Sequence, residues 1–177
     1  MRLTATLSIL VVALGCRESE GTYQGYADLT ASTGDSALSA VSSYFTLDST
    51  ADVRYDSAAA QTLERLSTRF GGIMRPDTVA QFHRQMLEGL DSLVLGMRVL
   101  RERQASCTEE RTIDCADARD FGYILGSMRN GARIYLGARR QMRETLRSLG
   151  ASFPDPPAVS PSALSPPGSQ GSRGQSP

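Results

Sequence analysis

The chain of 177 residues contains no lysine, no tryptophan and a single histidine, His83. All 19 basic side chains are therefore arginine, which excludes Schiff-base chemistry, a phosphate-loop lysine and a Ser–Lys dyad. One histidine leaves no room for the paired Glu-x-x-His motifs of a di-iron bundle or for HExxH, and neither CxxCH nor GxSxG is present. Aromatic residues make up only 6%, so the core must be built mainly from Leu, Met, Ala and Val. An excess of one charge is missing too: 19 acidic residues balance the 19 basic ones, and nothing steers the chain toward nucleic acid. No apolar run approaches the roughly 20 residues that span a bilayer. His83 has no nucleophile at a recognisable spacing and is expected on the exposed side of its helix.

What is present begins at the N-terminus. Arg2 precedes a short apolar run, Leu7–Leu14, which closes on Gly15 and Cys16. A basic start, an apolar middle and a small residue at the cut describe an export signal. With cysteine next, Ala13-Leu14-Gly15-Cys16 resembles the lipobox of bacterial lipoproteins. The resemblance covers the leader only. It implies removal of residues 1–15, diacylglycerol on the Cys16 thiol and acylation of the new amine. The protein would then be anchored to a membrane rather than spanning it. Arg17, where retained lipoproteins carry aspartate, implies the outer membrane facing the periplasm over the inner membrane.

Assigning Cys16 to lipid leaves Cys107 and Cys115 as a pair. In an exported protein such a pair reads first as a disulfide, with free thiols or half a metal site as alternatives.

Residues 17–34 are polar, with glycine at 21, 25 and 34, so 16–34 reads as lipidated cysteine plus flexible tether. The domain proper is expected over 35–150. Within it, 35–48 is ambiguous, though Leu38, Val41 and Phe45 match a helical face. A helix over 57–70 carries Ala59, Leu63, Leu66 and Phe70 on one side and stops at Gly71-Gly72. Thr78 and Gln81 match a capping box. From there to about Ser106, Val79, Phe82, Met86, Leu90, Leu93, Met97 and Leu100 form one stripe. A last helix, about 115–149, carries Phe121, Ile124, Met128, Gly131, Tyr135, Ala138, Met142 and Leu149. Residues 151–177, rich in proline, serine and glycine, are expected to be a disordered tail.

The expected fold is all-α: a small helical bundle built on a long antiparallel αα-hairpin. Hairpin geometry pairs Leu93 with Met128, Leu90 with Gly131 and Met86 with Tyr135. It also sets Arg98, Arg101 and Arg103 beside Asp114, Asp117 and Asp120. Glycines 89, 96, 122, 126, 131 and 137 inside the helices suggest close backbone approach, with Gly122 and Gly126 spaced for a tight crossing.

Two features bear on partners. Arg129, Arg133, Arg140 and Arg147 fall on one side of the last helix and form a candidate stripe for lipid phosphate, an anionic glycan or an acidic partner. His83, Met86 and the other methionines offer ligands for copper(I) or haem, although the methionines occupy packing positions. The reading is a non-enzymatic, lipid-anchored envelope module that binds a protein or the cell wall and needs no cofactor. The alternative is a carrier of a metal, haem or apolar molecule between its helices.

Overall fold

A computed structural model of the chain describes residues 20–47, 53–110 and 118–157, with side chains at 22–47, 53–106 and 121–157. Four α-helices follow one another: α1 (Glu20–Ala40), α2 (Ser57–Gly71), α3 (Ala80–Glu110) and α4 (Ala118–Ser148). Short 3-10 turns at Ser42–Phe45 and Asp77–Val79 join them, and there is no strand among the described residues. Tyr26 meets His83, and Glu64 meets Arg98. Asp35 meets Arg139, while Tyr26 also reaches Met142. The helices therefore alternate in direction as an up-down bundle. The starts of α1 and α3 share one end with the finishes of α2 and α4.

The stripes predict the core well. Val79, Met86, Leu90, Leu93, Met97 and Leu100 are buried on the α3 side. Ile124, Met128, Tyr135, Ala138 and Met142 are buried on α4, and Leu63 and Phe70 on α2. Asp56 caps α2, its carboxylate accepting from the Ala58 and Ala59 N–H groups at 2.9 and 3.1 Å. Thr78 does not cap α3; its hydroxyl instead meets Tyr23 Oη at 3.4 Å. The hairpin of α3 and α4 is the most extensive packing among the described residues. Gly131 sits against Gly89, Ser92 and Leu93, and Met128 against Gly96. The register is displaced from the expected one by less than a turn, because the two backbones touch at Gly89 and Gly131.

Three expectations are corrected. The tether does not extend to residue 34: α1 begins at Glu20 and buries Tyr26, Ala27, Thr30, Ala31 and Thr33 before reaching Ala37 and Leu38. These positions have helical spacing, but most are small or polar, so they make no apolar stripe. Their smallness is what lets α1 lie close to its neighbours; a Cβ on Gly34 would fall 2.3 Å from Tyr135 Oη. The tail does not begin at 151. Gly150 adopts φ 84° and turns the chain, after which Ala151 and Phe153 are buried. Gly122, Gly126 and Gly137 make no tight crossing, since a Cβ on any of them would meet nothing within 4 Å. Cys16, Cys115, Asp114, Asp117 and the side chains of Cys107 and Asp120 lie outside the described residues. Arg98, assigned above to the hairpin tip, pairs with Glu64 at 3.3 Å.

Alanine at these glycines should act with opposite signs. A Cβ on Gly89 would stand 2.6 Å from the Gly131 carbonyl oxygen and 2.8 Å from the Tyr135 nitrogen, both backbone atoms that cannot swing aside. Gly89→Ala should cost about 2–3 kcal/mol by overpacking. Gly126→Ala, meeting nothing, should stabilise by about 1 kcal/mol through helix propensity. Urea unfolding of the two variants checks this, and equal effects would contradict the packing described.

Candidate functional site

The polar chemistry of this protein is concentrated inside it. Arg139, on α4, is 1% exposed. Its Nε donates to Asp35 Oδ1 at 2.7 Å and its Nη2 to Oδ2 at 2.6 Å, a two-pronged pairing across α4 and α1. Tyr135 Oη donates to the same Asp35 Oδ1 at 2.8 Å. Arg139 Nη2 also donates to the carbonyls of Pro154 and Asp155 at 3.0 and 3.1 Å, and its guanidinium lies 4.7 Å above the Phe153 ring. Arg143 holds the Asp155 carboxylate at 2.6 Å. Gln24 reads both backbone groups of Ser152: Nε2 donates to its carbonyl at 3.0 Å and Oε1 accepts its N–H at 2.7 Å. Residues 151–155 thus form a strap across α1 and α4. Burial, then the Asp35 charge, pushes the Tyr135 hydroxyl well above its ordinary range.

A second buried cluster corrects the placement of His83. Its ring is 1% exposed, stacks on Phe70 at 4.4 Å and 14°, and shares a 2.8 Å hydrogen bond between Nδ1 and Tyr26 Oη. The direction of that bond follows the tautomer. Tyr26 Oη also lies 3.9 Å from Met142 Sδ. Burial, reinforced by the Arg75 charge, lowers the His83 pKa to about 4; the Phe70 carbonyl opposes this without reaching hydrogen-bond geometry to Nε2. Burial also raises Tyr26 to about 12, against the smaller effects of Thr30 and Arg75. His83 Nε2 and Thr30 Oγ1 are buried without partners. The sequence carried one signal for this placement: His83 lies four residues before Leu87 and three before Met86, close to the apolar stripe.

The arginine stripe divides. Arg129 is half-buried and turned inward, its Nη2 donating to the carbonyls of Leu47 at 3.1 Å and Phe45 at 3.5 Å. It fastens the chain after α1 and is not part of an outward face. Arg133, Arg140 and Arg147 are exposed and make no ion pair among the described residues. The acids Glu64 and Asp91 are engaged elsewhere, Glu64 with Arg98 and Asp91 with the Ser67 hydroxyl.

Open grooves mark the surface of the described residues. One, of about 570 Å³, lies between α2 and α3 over Ser67, Asp91 and Arg98. Another, of about 440 Å³, follows α1 past Asp28, Asp35 and Ser39 to Pro154. The recess beside Tyr55 and Met97 holds about 20 Å³, room for a water-sized guest. Among the described residues no three His, Cys, Asp or Glu side chains gather as a metal-binding group, and no helix is long and apolar enough to cross a membrane. No protein-family model matches this chain, and no curated protein or solved structure shows significant similarity to it.

Two measurements probe the interior. Asp35→Asn leaves the Arg139 charge buried without its counter-ion and should cost about 3–5 kcal/mol in urea unfolding. Arg139→Lys, which cannot form the two-pronged pairing, should fall well short of wild type. For His83, the folded pKa near 4 lies below the free value of 6.5. The unfolded chain therefore binds the extra proton between those pH values, and stability present above pH 6.5 is lost as pH falls toward 4. His83→Gln should flatten the stability–pH curve across that window; an unchanged slope would mean that the ring is not held neutral.

Proposed function

We propose that this protein is exported, acylated on Cys16 and held in the cell envelope, where its helical bundle serves as a binding module rather than a catalyst. The observation that carries this reading is the order Arg2, Leu7–Leu14, Gly15, Cys16, followed directly by a well-packed domain. A single acyl chain holds weakly, and several on one cysteine hold firmly, since each buried CH₂ contributes about 0.8 kcal/mol. In the oxidising compartment that follows, Cys107 and Cys115 pair as a disulfide.

The interior supports a binding role. His83, the one side chain with an ordinary pKa near neutrality, is turned inward and kept neutral by its surroundings. Arg139 and Asp35 neutralise each other in the core. The outward charges suited to recognition along the body of α4 are Arg133 and Arg140, and guanidinium groups placed in this way take an acidic partner, protein or cell-wall polymer.

Radiolabelled palmitate should enter the wild-type protein and not Cys16→Ser, and globomycin should leave the leader uncleaved. Absence of label in the wild type would remove the anchor. In the same labelled cells, crosslinking should capture a defined neighbour, and Arg133→Glu/Arg140→Glu should weaken that capture by about tenfold without unfolding the bundle. Capture unaffected by the charge reversals would take these arginines out of the interface. Non-reducing peptide mapping of the purified material should join Cys107 to Cys115; free thiols there would refute the pairing.

A further inference from the structure

The anchor residue and the body are closer together than the polar sequence after Cys16 suggests. Because α1 begins at Glu20, only residues 17–19 separate it from Cys16, and an extended chain of that length spans about 14 Å at most. The start of α1 is therefore confined to the bilayer surface if Cys16 is acylated. The inference below rests on that reading.

What the bundle presents at this end is specific. Tyr23 Oη meets Thr78 Oγ1 at 3.4 Å, which sets the first turns of α1 beside the start of α3 and the loop that leads into it. That loop runs Ile73-Met74-Arg75-Pro76. Ile73 and Pro76 are buried and grip it from both sides, so Met74 and Arg75 are forced outward as a two-residue tip. Met74 is 92% exposed, more than any other large apolar side chain described. Arg75 is exposed beside it, close enough to the interior to act on both Tyr26 and His83. Arg69, in the last turn of α2, and Arg147, in the last turn of α4, are exposed at the same end, against the exposed carboxylate of Asp77. An unbranched apolar side chain flanked by guanidinium groups suits the boundary between acyl chains and anionic headgroups. Water does not reward such an exposure, and nothing in the bundle requires it.

We infer that this end of the bundle is a membrane-contacting tip: Met74 enters the headgroup layer of an anionic bilayer, and Arg69, Arg75 and Arg147 pair with lipid phosphates around it. The acyl chains and the tip together would give the body one orientation on the membrane, with the start of α4 pointing away. Tyr123, 81% exposed near that start, marks the far end.

The lack of tryptophan makes the test direct, because one substitution introduces a single tryptophan that is excited apart from the tyrosines. Met74→Trp and Tyr123→Trp proteins, acylated in cells and purified whole, are placed in phosphatidylcholine–phosphatidylglycerol vesicles with or without brominated acyl chains. The Met74→Trp protein should shift its emission to the blue and lose about half its intensity to the brominated lipid, while the Tyr123→Trp protein stays water-like and unquenched. Quenching at the tip should fall when Arg69, Arg75 and Arg147 are all changed to Gln. Palmitate incorporation reports the anchor separately. If label is present and the fluorophore at position 74 remains unquenched, the tip is overturned and the anchor stands. If no label enters, the anchor reading falls, and the same variants are joined through Cys16 to a maleimide-headgroup lipid. Quenching there upholds the tip, and its absence overturns it. Equal quenching at both positions, in either format, also overturns it.

Discussion

The ion pair between Arg139 and Asp35 is the constraint on which this bundle turns. A guanidinium that is 1% exposed has lost its hydration, and that loss is offset only if its donors find partners. Here they find them on two separate pieces of chain: the Asp35 carboxylate of α1 and the carbonyls of Pro154 and Asp155. The same carboxylate accepts from Tyr135, so one acid side chain on α1 answers two donors on α4. Such a pair is weak evidence for net stability, since apolar residues of equal volume often do as well. Its consequence is selectivity of arrangement. A shift of α1 by one turn would strand the Arg139 charge in the core, and so would release of the strap from its place.

That selectivity matters because α1 has little else to hold it in register. Its buried face is Ala27, Thr30, Ala31, Thr33, Gly34 and Ala37, with larger side chains only at Tyr26 and Leu38. Small residues bring helix axes close and multiply dispersion contacts, but they offer few knobs to define one alignment. Directional bonds supply what shape does not. Tyr26 to His83, Asp35 to Arg139 and Gln24 to Ser152 sit along α1, each joined to a different neighbour. The interior also carries a cost. Thr30 Oγ1 and His83 Nε2 are buried without partners, and each such atom opposes folding by about 1–3 kcal/mol.

The legible parts of this fold are those where hydrophobicity alone decides the structure. The stripes of α3 and α4 are long, apolar and one-sided, and most of their members are buried; Phe82, Phe121 and Leu149 are only partly so, and Leu125, Ala132 and Leu146 beside the α4 stripe are buried with it. Gly89 and Gly131 likewise mark a true backbone contact. Elsewhere the pattern rule fails for a physical reason. α1 has the helical spacing of a buried face but fills it with alanine, threonine and glycine, which hydropathy reads as neutral. His83 and Arg139 are polar side chains made acceptable inside by specific partners on distant segments, and one-dimensional periodicity carries no information about partners. The strap is hidden similarly: Phe153 is one apolar residue among prolines, and its burial follows from an arginine and a glutamine more than a hundred residues apart in the chain. Of the arginine stripe, position along the helix predicted exposure at Arg133, Arg140 and Arg147, while Arg129 was captured by carbonyls at the end of the first helical segment.

The strap has a mechanical consequence. It is seated first on Gln24, near the beginning of α1, and then on Arg139 opposite Asp35, eleven residues further along that helix. It therefore runs in the same direction as α1. Tension between the first turn of α1 and Asp155 would pull these two segments past each other, loading the Gln24, Arg139 and Arg143 bonds together rather than one after another. Such a load enters α4 through Arg139 and Arg143, and it reaches α3 only through the packing of α4 against it. A short shear joint of this kind resists such a pull because its bonds must break together.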